Sequence, residues 1–264
     1  MGKLISSLLV ILQCAVALAT FDAFADTGQP AVAIIIDDMG DRLLDGKRAL
    51  SLPGKVTYAV IPNTAHAVEF AHFAYKQNRE VILHAPMQPL KDHEPNSGVL
   101  NLRMDYNEFS AVVKSWLASV PHISGLNNHM GSLITQHTGY MSWLMQELSQ
   151  QGSLYFVDSR TSPDSVAARI ADEYYLPKTE RDVFLDNKRE AAAINIQFDR
   201  MIKIALASGS ALAIGHPYPE TLSVLEQRMP LLEQAGISLV NVSTIISIQQ
   251  QQRKSRIWQT SLSR

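Results

Sequence analysis

Ala31-Val32-Ala33-Ile34-Ile35-Ile36-Asp37-Asp38-Met39-Gly40 is the stretch from which the fold is read. An unbroken apolar run rich in β-branched residues marks a strand buried on both faces, as in a parallel sheet. Two carboxylates end the run. Similar short runs recur at 56–61, 80–84, 123–126, 153–157, 211–214 and 237–240, with a weaker one at 183–185. Amphipathic stretches at 65–76, 106–118, 140–151, 188–207 and 218–235 lie between them. This alternation predicts an α/β domain with a mainly parallel sheet and right-handed crossovers. Seven or eight strands fit a barrel or an open doubly wound sheet, and periodicity alone does not choose between them.

The flanks read differently. Residues 1–25 have the form of a secretory signal. Lys3 provides the positive end, residues 4–19 are apolar apart mainly from Gln13, and Ala23 and Ala25 suit the −3 and −1 positions of a cleavage site. The apolar run, about 16 residues, is short against the roughly 20 of a spanning helix. Cleavage is therefore expected over retention as an anchor, with a periplasmic or secreted location and no stable membrane span afterwards. The single cysteine, Cys14, lies inside the signal and follows Gln13 rather than the small residue of a lipoprotein site. The mature chain would have no disulfide, so its core must hold it. A net charge of −2 gives no field for nucleic acid, and no nucleic-acid partner is expected. Residues 26–248 read as one domain without repeats or linkers. Residues 85–103 form a long irregular stretch of the kind that is often functional. Residues 249–264 are Gln-rich and then basic, and are expected to be a disordered tail.

In parallel α/β folds, sites form at the carboxyl ends of the strands. Here those ends carry Asp37 and Asp38, His84, then Asn127, Asn128 and His129, then Asp158 and Ser159, Asp186, and His216. Singly, each has a structural explanation. Aspartates cap helices, a lone buried histidine is usually a hydrogen-bonded core residue, and Pro217 after His216 suits a first helical turn. Together they favour a divalent metal, because adjacent acids at a buried strand end repel unless a cation lies between them. An aspartate with two histidines is a common catalytic zinc set that leaves a position for water, whose pKa falls to about 7 on the metal. A second carboxylate could act as base, and a histidine across the site could protonate a leaving amine. His66, His72, His93, His122 and His137 have no matching partner in the pattern and are expected to be structural or exposed. No glycine-rich phosphate loop follows any strand, which sets aside a sugar-phosphate enzyme.

Five ordered strings carry a resemblance: Ile34 to Gly40, Leu83-His84-Ala85-Pro86-Met87, Asn127-Asn128-His129-Met130-Gly131-Ser132, Asp158-Ser159-Arg160-Thr161 and Ile214-Gly215-His216-Pro217. They resemble the divergent polysaccharide deacetylase family, a branch of the polysaccharide deacetylase-like carbohydrate esterases, over about residues 31–248. The resemblance implies a distorted (β/α) barrel. It implies Asp37 as catalytic base, Asp38 and His84 as metal ligands, and His216 as the group that protonates the leaving group or stabilises the oxyanion. The wider superfamily pairs its histidine with another four residues on, where this chain has Gln88. His129 would then supply the missing ligand, with Asp158 orienting one of these groups. The superfamily's Arg-Pro-Pro-Tyr-like segment, which would fall near 128–131, is not kept. The implied function is removal of N- or O-acetyl groups from an envelope polysaccharide such as peptidoglycan. Zinc is the expected metal, with metal-bound water attacking and Asp37 as base. The competing expectation, favoured by Gln88, is a catalytically impaired module that binds a glycan or a protein.

Overall fold

The structure is a computed structural model that describes residues 28–91 and 98–262. The expected signal and His93 lie outside the described residues. The elements run β1 (Ala31–Met39), α1 (Leu43–Leu50), β2 (Thr57–Val60), α2 (Ala67–Lys76), β3 (Val81–Met87), α3 (Tyr106–Ser119), β4 (Ile123–Met130), α4 (Thr138–Ser149), β5 (Tyr155–Asp158), α5 (Ala167–Glu173), β6 (Lys178–Glu180), β7 (Val183–Phe184), α6 (Ala191–Ser208), β8 (Ser210–Gly215), α7 (Pro219–Arg228), β9 (Ser238–Leu239) and α8 (Val242–Leu262).

Every strand pair is parallel, in the order β6-β5-β4-β3-β2-β1-β8-β7, with β9 on β1. The two ends of this ladder, β6 and β7, are halves of one extended segment separated only by Arg181 and Asp182. Arg181 N donates to Asp158 O on one edge and Asp182 N to Leu212 O on the other. One staggered segment thus joins both edges, and the sheet curls into a distorted barrel. That settles the choice left open by periodicity. The short β6 and the helices α1 and α5 are absent from the sequence reading, because each is too brief to show a period. In α1, Gly46 admits the ring of Phe70, whose Cε2 would lie 2.2 Å from an added Cβ.

Strand alternation sorts the apolar residues into two layers. Val32, Ile34, Ile36, Leu83, Leu126 and Phe156 face the outer helices. Ala31, Ala33, Ile35, Ile82, Tyr155, Val157, Leu212 and Ile214 fill the inside with Ile245 and Ile246 of α8. Ile34, Ile35 and Ile36 are fully buried, each stabilising the fold by roughly 1.5–3 kcal/mol. The closing helix lies across the amino-terminal strand ends. Ser243 N donates to Glu80 Oε2, and Gln252 Nε2 to Ser208 O. The opposite, carboxyl-end mouth is left for a site.

Residues 249–262 correct the expectation of a disordered tail, since they continue α8. Gln, Lys and Arg are good helix formers, and the stretch lacks Gly and Pro. It propagates from a turn already anchored by buried Val242, Ile245 and Ile246. Among the described residues, no helix is long and apolar enough to cross a membrane.

Candidate metal and acid-base centre

The strands extend beyond the apolar runs that announce them. β3 and β4 stay in register from Ile82–Gly125 to Met87–Met130. Asn127 and His129 therefore sit on β4 itself, beyond the run at 123–126 that announces it, and His84 sits within β3. Asn127 and His129 share one parity with Gly125, and His84 shares one with Ile82, which faces the interior. Each side chain thus caps the inner core at the barrel mouth.

Asp37 and Asp38 pose a geometric problem, since neighbours on a strand point to opposite faces. The β1–β2 register shifts between Ile36 and Met39, and Asp38 has φ 54. This bulge turns both carboxylates into one site. Aspartate is among the few non-glycine residues that tolerate the left-handed region.

Asp38 Oδ1 lies 3.2 Å from His84 Nε2 and 3.0 Å from His129 Nδ1, and the two nitrogens are 3.0 Å apart. These atoms form a nearly equilateral triangle. A tetrahedral ion with bonds of about 2.0–2.1 Å has edges of about 3.3 Å between its ligand atoms. The oxygen is buried yet accepts no well-angled hydrogen bond, although both rings are close. Two imidazole nitrogens at this separation need a cation, proton or metal ion, between them. Asp38, His84 and His129 therefore fit a divalent ion, and they are the group of potential ligands that converges among the described residues.

Asn127 determines how His84 faces that triangle. Its Nδ2 donates to Asp37 Oδ1 at 2.8 Å, so its Oδ1 accepts from His84 Nδ1 at 2.7 Å. With the proton held on Nδ1, neutral His84 presents the Nε2 lone pair to the cluster. Burial raises the Asp37 carboxyl above its ordinary value, while His84, His216 and Asn127 pull it back. Burial also acts against ionised Asp38. The nearby His129 and His84 nitrogens outweigh it and hold that carboxyl well below the usual range. Burial would lower His84, but the negative charges of Asp37 and Asp38 raise it to about 9.

Across the mouth, His216 Nε2 lies 3.8 Å from Asp38 Oδ2. Its Nδ1 donates to Asp186 Oδ1 at 2.9 Å, and its backbone N to Asp186 Oδ2 at 2.7 Å. Thr221 Oγ1 donates to the same carboxylate at 2.7 Å. Burial opposes the charged ring, but Asp186 and then Asp37 raise its pKa. Tyr218 stacks on His216 with centroids 5.2 Å apart, Arg189 lies 3.5 Å over Tyr218, and Phe184 meets the imidazole edge-on at 5.5 Å.

Two sequence expectations change here. Asp158 does not orient either group. Tyr155 and Val157 face inward, so Asp158 has the outward parity of Phe156. Its oxygens accept from Arg160 N at 2.8 Å and Ser165 Oγ at 2.7 Å. The orienting carboxylate on His216 is Asp186, which stood at a strand end in the sequence but had no signal marking it as a partner. Gln88 is no ligand either, because its Oε1 accepts from Leu102 N at 3.0 Å and pins the loop after β3. Asn127 stood at a strand end in the sequence without a role, and Arg181 was missed. Arg181 donates to the Ser159 and Arg160 carbonyls, and the negative charge of Asp37 favours its charged form against burial. Of the histidines set aside, His72 and His122 do have a partner, each other, at 2.9 Å.

A curled parallel barrel with an Asp-His-His cluster at its carboxyl mouth is polysaccharide deacetylase-like. The pattern of the divergent polysaccharide deacetylases matches residues 34–246, and the chain belongs to that family. It is similar to the uncharacterized protein YibQ of Escherichia coli K12, 37% identical over 216 residues, covering 82% of this chain and 67% of that one. Its fold is similar to that of the uncharacterized protein ATU2773 of Agrobacterium tumefaciens C58. There the TM-score is 0.79 at 21% identity, over 82% and 89% of the two chains. A more distant likeness is BA3943 of Bacillus anthracis, described as a CE4 family pseudoenzyme. Its TM-score is 0.52 at 15% identity, over 83% of this chain and 66% of that one.

Proposed function

We propose that this protein is an exported, metal-dependent hydrolase that removes N- or O-acetyl groups from an envelope polysaccharide. The observation that carries the reading is the triangle of Asp38 Oδ1, His84 Nε2 and His129 Nδ1, flanked by Asp37 on one side and His216 on the other. A divalent ion held there, zinc by its ligand chemistry, would supply a Lewis acid and make hydroxide available near neutral pH.

The residues divide the remaining work. Water adds to the acetyl carbonyl carbon, and Asp37 takes its proton. Burial makes Asp37 a stronger base than a solvated aspartate, and Asn127 fixes its orientation. His216, charged with the help of Asp186, gives its Nε2 proton to the departing nitrogen or oxygen as the acyl bond breaks. Acetate and the free amine or alcohol leave. The apolar walls Phe184 and Tyr218 limit water around that proton. The signal-like sequence at 1–25 supports a periplasmic or secreted site of action, where peptidoglycan is an available substrate.

A second reading, a glycan-binding module without turnover, draws support from Gln88, which stands where a second histidine is expected and turns away to Leu102. One experiment separates the two. Elemental analysis is made of the wild type and of Asp38→Ala, His84→Ala and Asp37→Asn, with acetate release from acetylated glycans measured in parallel. The hydrolase reading expects near-stoichiometric metal, lost in the first two variants and kept in Asp37→Asn, whose acetate release is abolished. A protein that stays metal-free after incubation with zinc sinks it and leaves the binding module.

A further inference from the structure

We propose that the cleft beside Phe184 is a subsite for a carboxylate-bearing sugar next to the acylated one, so that the substrate is an acidic glycan. This rests on the proposed deacylation at the neighbouring centre. The cleft has a volume of about 370 Å3 and is lined by Arg181, Asp182, Phe184, Asn187, Gln197 and Arg200. A second hollow of about 250 Å3 shares Asn187 and Gln197 with it and adds Lys188.

One ring connects the cleft to the centre. Phe184 stands 5.5 Å from the His216 imidazole, and the Arg181 guanidinium lies 4.9 Å over the Phe184 ring. Phe184 thus borders both the centre and the cleft, so a glycan whose acyl group is at His216 can continue over the cleft. The lining suits a neighbouring sugar. Phe184 offers an apolar ring, and the two amides can both donate to and accept from hydroxyls. Arg200 offers a guanidinium fork that matches a planar carboxylate, and Arg181, whose Nε and Nη2 already donate to the Ser159 and Arg160 carbonyls, adds its charge.

Two arginines against one aspartate leave the lining of the cleft net positive. Asp182 is its one lining acid, and the Oδ2 of that residue already accepts from Leu212 N at 2.8 Å. Glu180, the next acid along, pairs with Arg160 at 3.4 Å and Lys178 at 3.8 Å. Burial is the main influence lowering the Arg181 pKa; Asp37 and Asp158 oppose it, and the like charges of Arg160 and Arg200 add to it. An anion between Arg181 and Arg200 relieves that repulsion. Nothing in the proposed chemistry at His216 uses Arg200, Asn187 or Gln197.

The test compares two tetrasaccharides by calorimetry on the full chain. One alternates N-acetylglucosamine with glucuronate, and the other is N-acetylglucosamine throughout. The acidic probe is expected to bind at least about tenfold tighter, equivalent to about 1.4 kcal/mol. Arg200→Gln, on the exposed face of α6, is expected to bring the acidic probe down to the affinity of the neutral one. Equal affinities in the wild type, a preference that survives Arg200→Gln, or binding of neither probe overturns the subsite. Acetate release from both probes is measured alongside. Release with equal affinities defeats the subsite and leaves the deacetylase reading standing. An Arg200-dependent preference with no release from any acetylated glycan upholds the acidic-sugar subsite and defeats the deacetylase reading.

Discussion

Asn127 Nδ2 donates to Asp37 Oδ1 at 2.8 Å, and this bond decides which nitrogen of His84 faces the metal-type cluster. The amide cannot turn around without setting its oxygen against a carboxylate, so the His84 proton stays on Nδ1. Asn127→Ala removes the device without removing a ligand. Zinc affinity is expected to fall about 10- to 100-fold, the usual cost of losing a partner behind a metal ligand. Competition with a zinc chelator measures it, and unchanged affinity would show that the amide does not set the tautomer.

Asp38 contributes a backbone conformation as well as a carboxylate. Both Asp38→Gly and Asp38→Ala lose the carboxylate, but only glycine accepts φ 54 freely. The metal-free glycine variant is expected to be more stable than the alanine variant by about 1 kcal/mol, or about 2–4 °C in Tm. Thermal melts of the two, without metal, decide it. Equal melting would mean that the bulge is not held against strain.

On the proposed metal-dependent reading, proton and metal compete for His84. Asp37 and Asp38 raise its pKa to about 9 in the metal-free protein, against about 6.5 unfolded. A raised pKa stabilises the fold fully below the unfolded value and ceases to do so as pH rises through the folded one. Metal-free stability should therefore decline between about pH 6.5 and pH 9. Zinc needs the neutral ring, so its affinity should rise over the same window, with proton release visible in buffers of different ionisation enthalpy. Affinity that is flat with pH would remove His84 from the ligand set.

Asp186 favours the charged form of His216. Its replacement in Asp186→Asn should lower the His216 pKa and shift the basic limb of any acetate-release profile to lower pH, with metal content unchanged. An NMR titration of the ring follows the first effect directly. A profile that keeps its shape would assign the proton donor elsewhere.

Restoring the superfamily's second histidine should not help. Gln88 holds Leu102 N rather than facing the cluster, whose third corner is already His129. Gln88→His is expected to leave zinc affinity unimproved, whereas His129→Ala should abolish stoichiometric binding. The reverse pattern in elemental analysis would exchange the roles of the two positions.

The sequence by itself determined the parallel α/β class and the end of the sheet where chemistry collects. Burial on both faces is written into local composition, as at Ile34, Ile35 and Ile36, and a polar residue closing such a run is visible without coordinates. Asp37, Asp38, His84, His129 and His216 were legible for that reason, and the structure brings all five to one mouth. Only the tertiary structure decided the rest. Barrel closure depends on the curl that lets the segment from Lys178 to Phe184 pair with both edges. The shared orientation of Asp37 and Asp38 depends on a bulge, and the exchange of Asp158 for Asp186 depends on strand parity. Register, twist and parity are set by which strands meet and where each ladder starts, and those are properties of the assembled sheet.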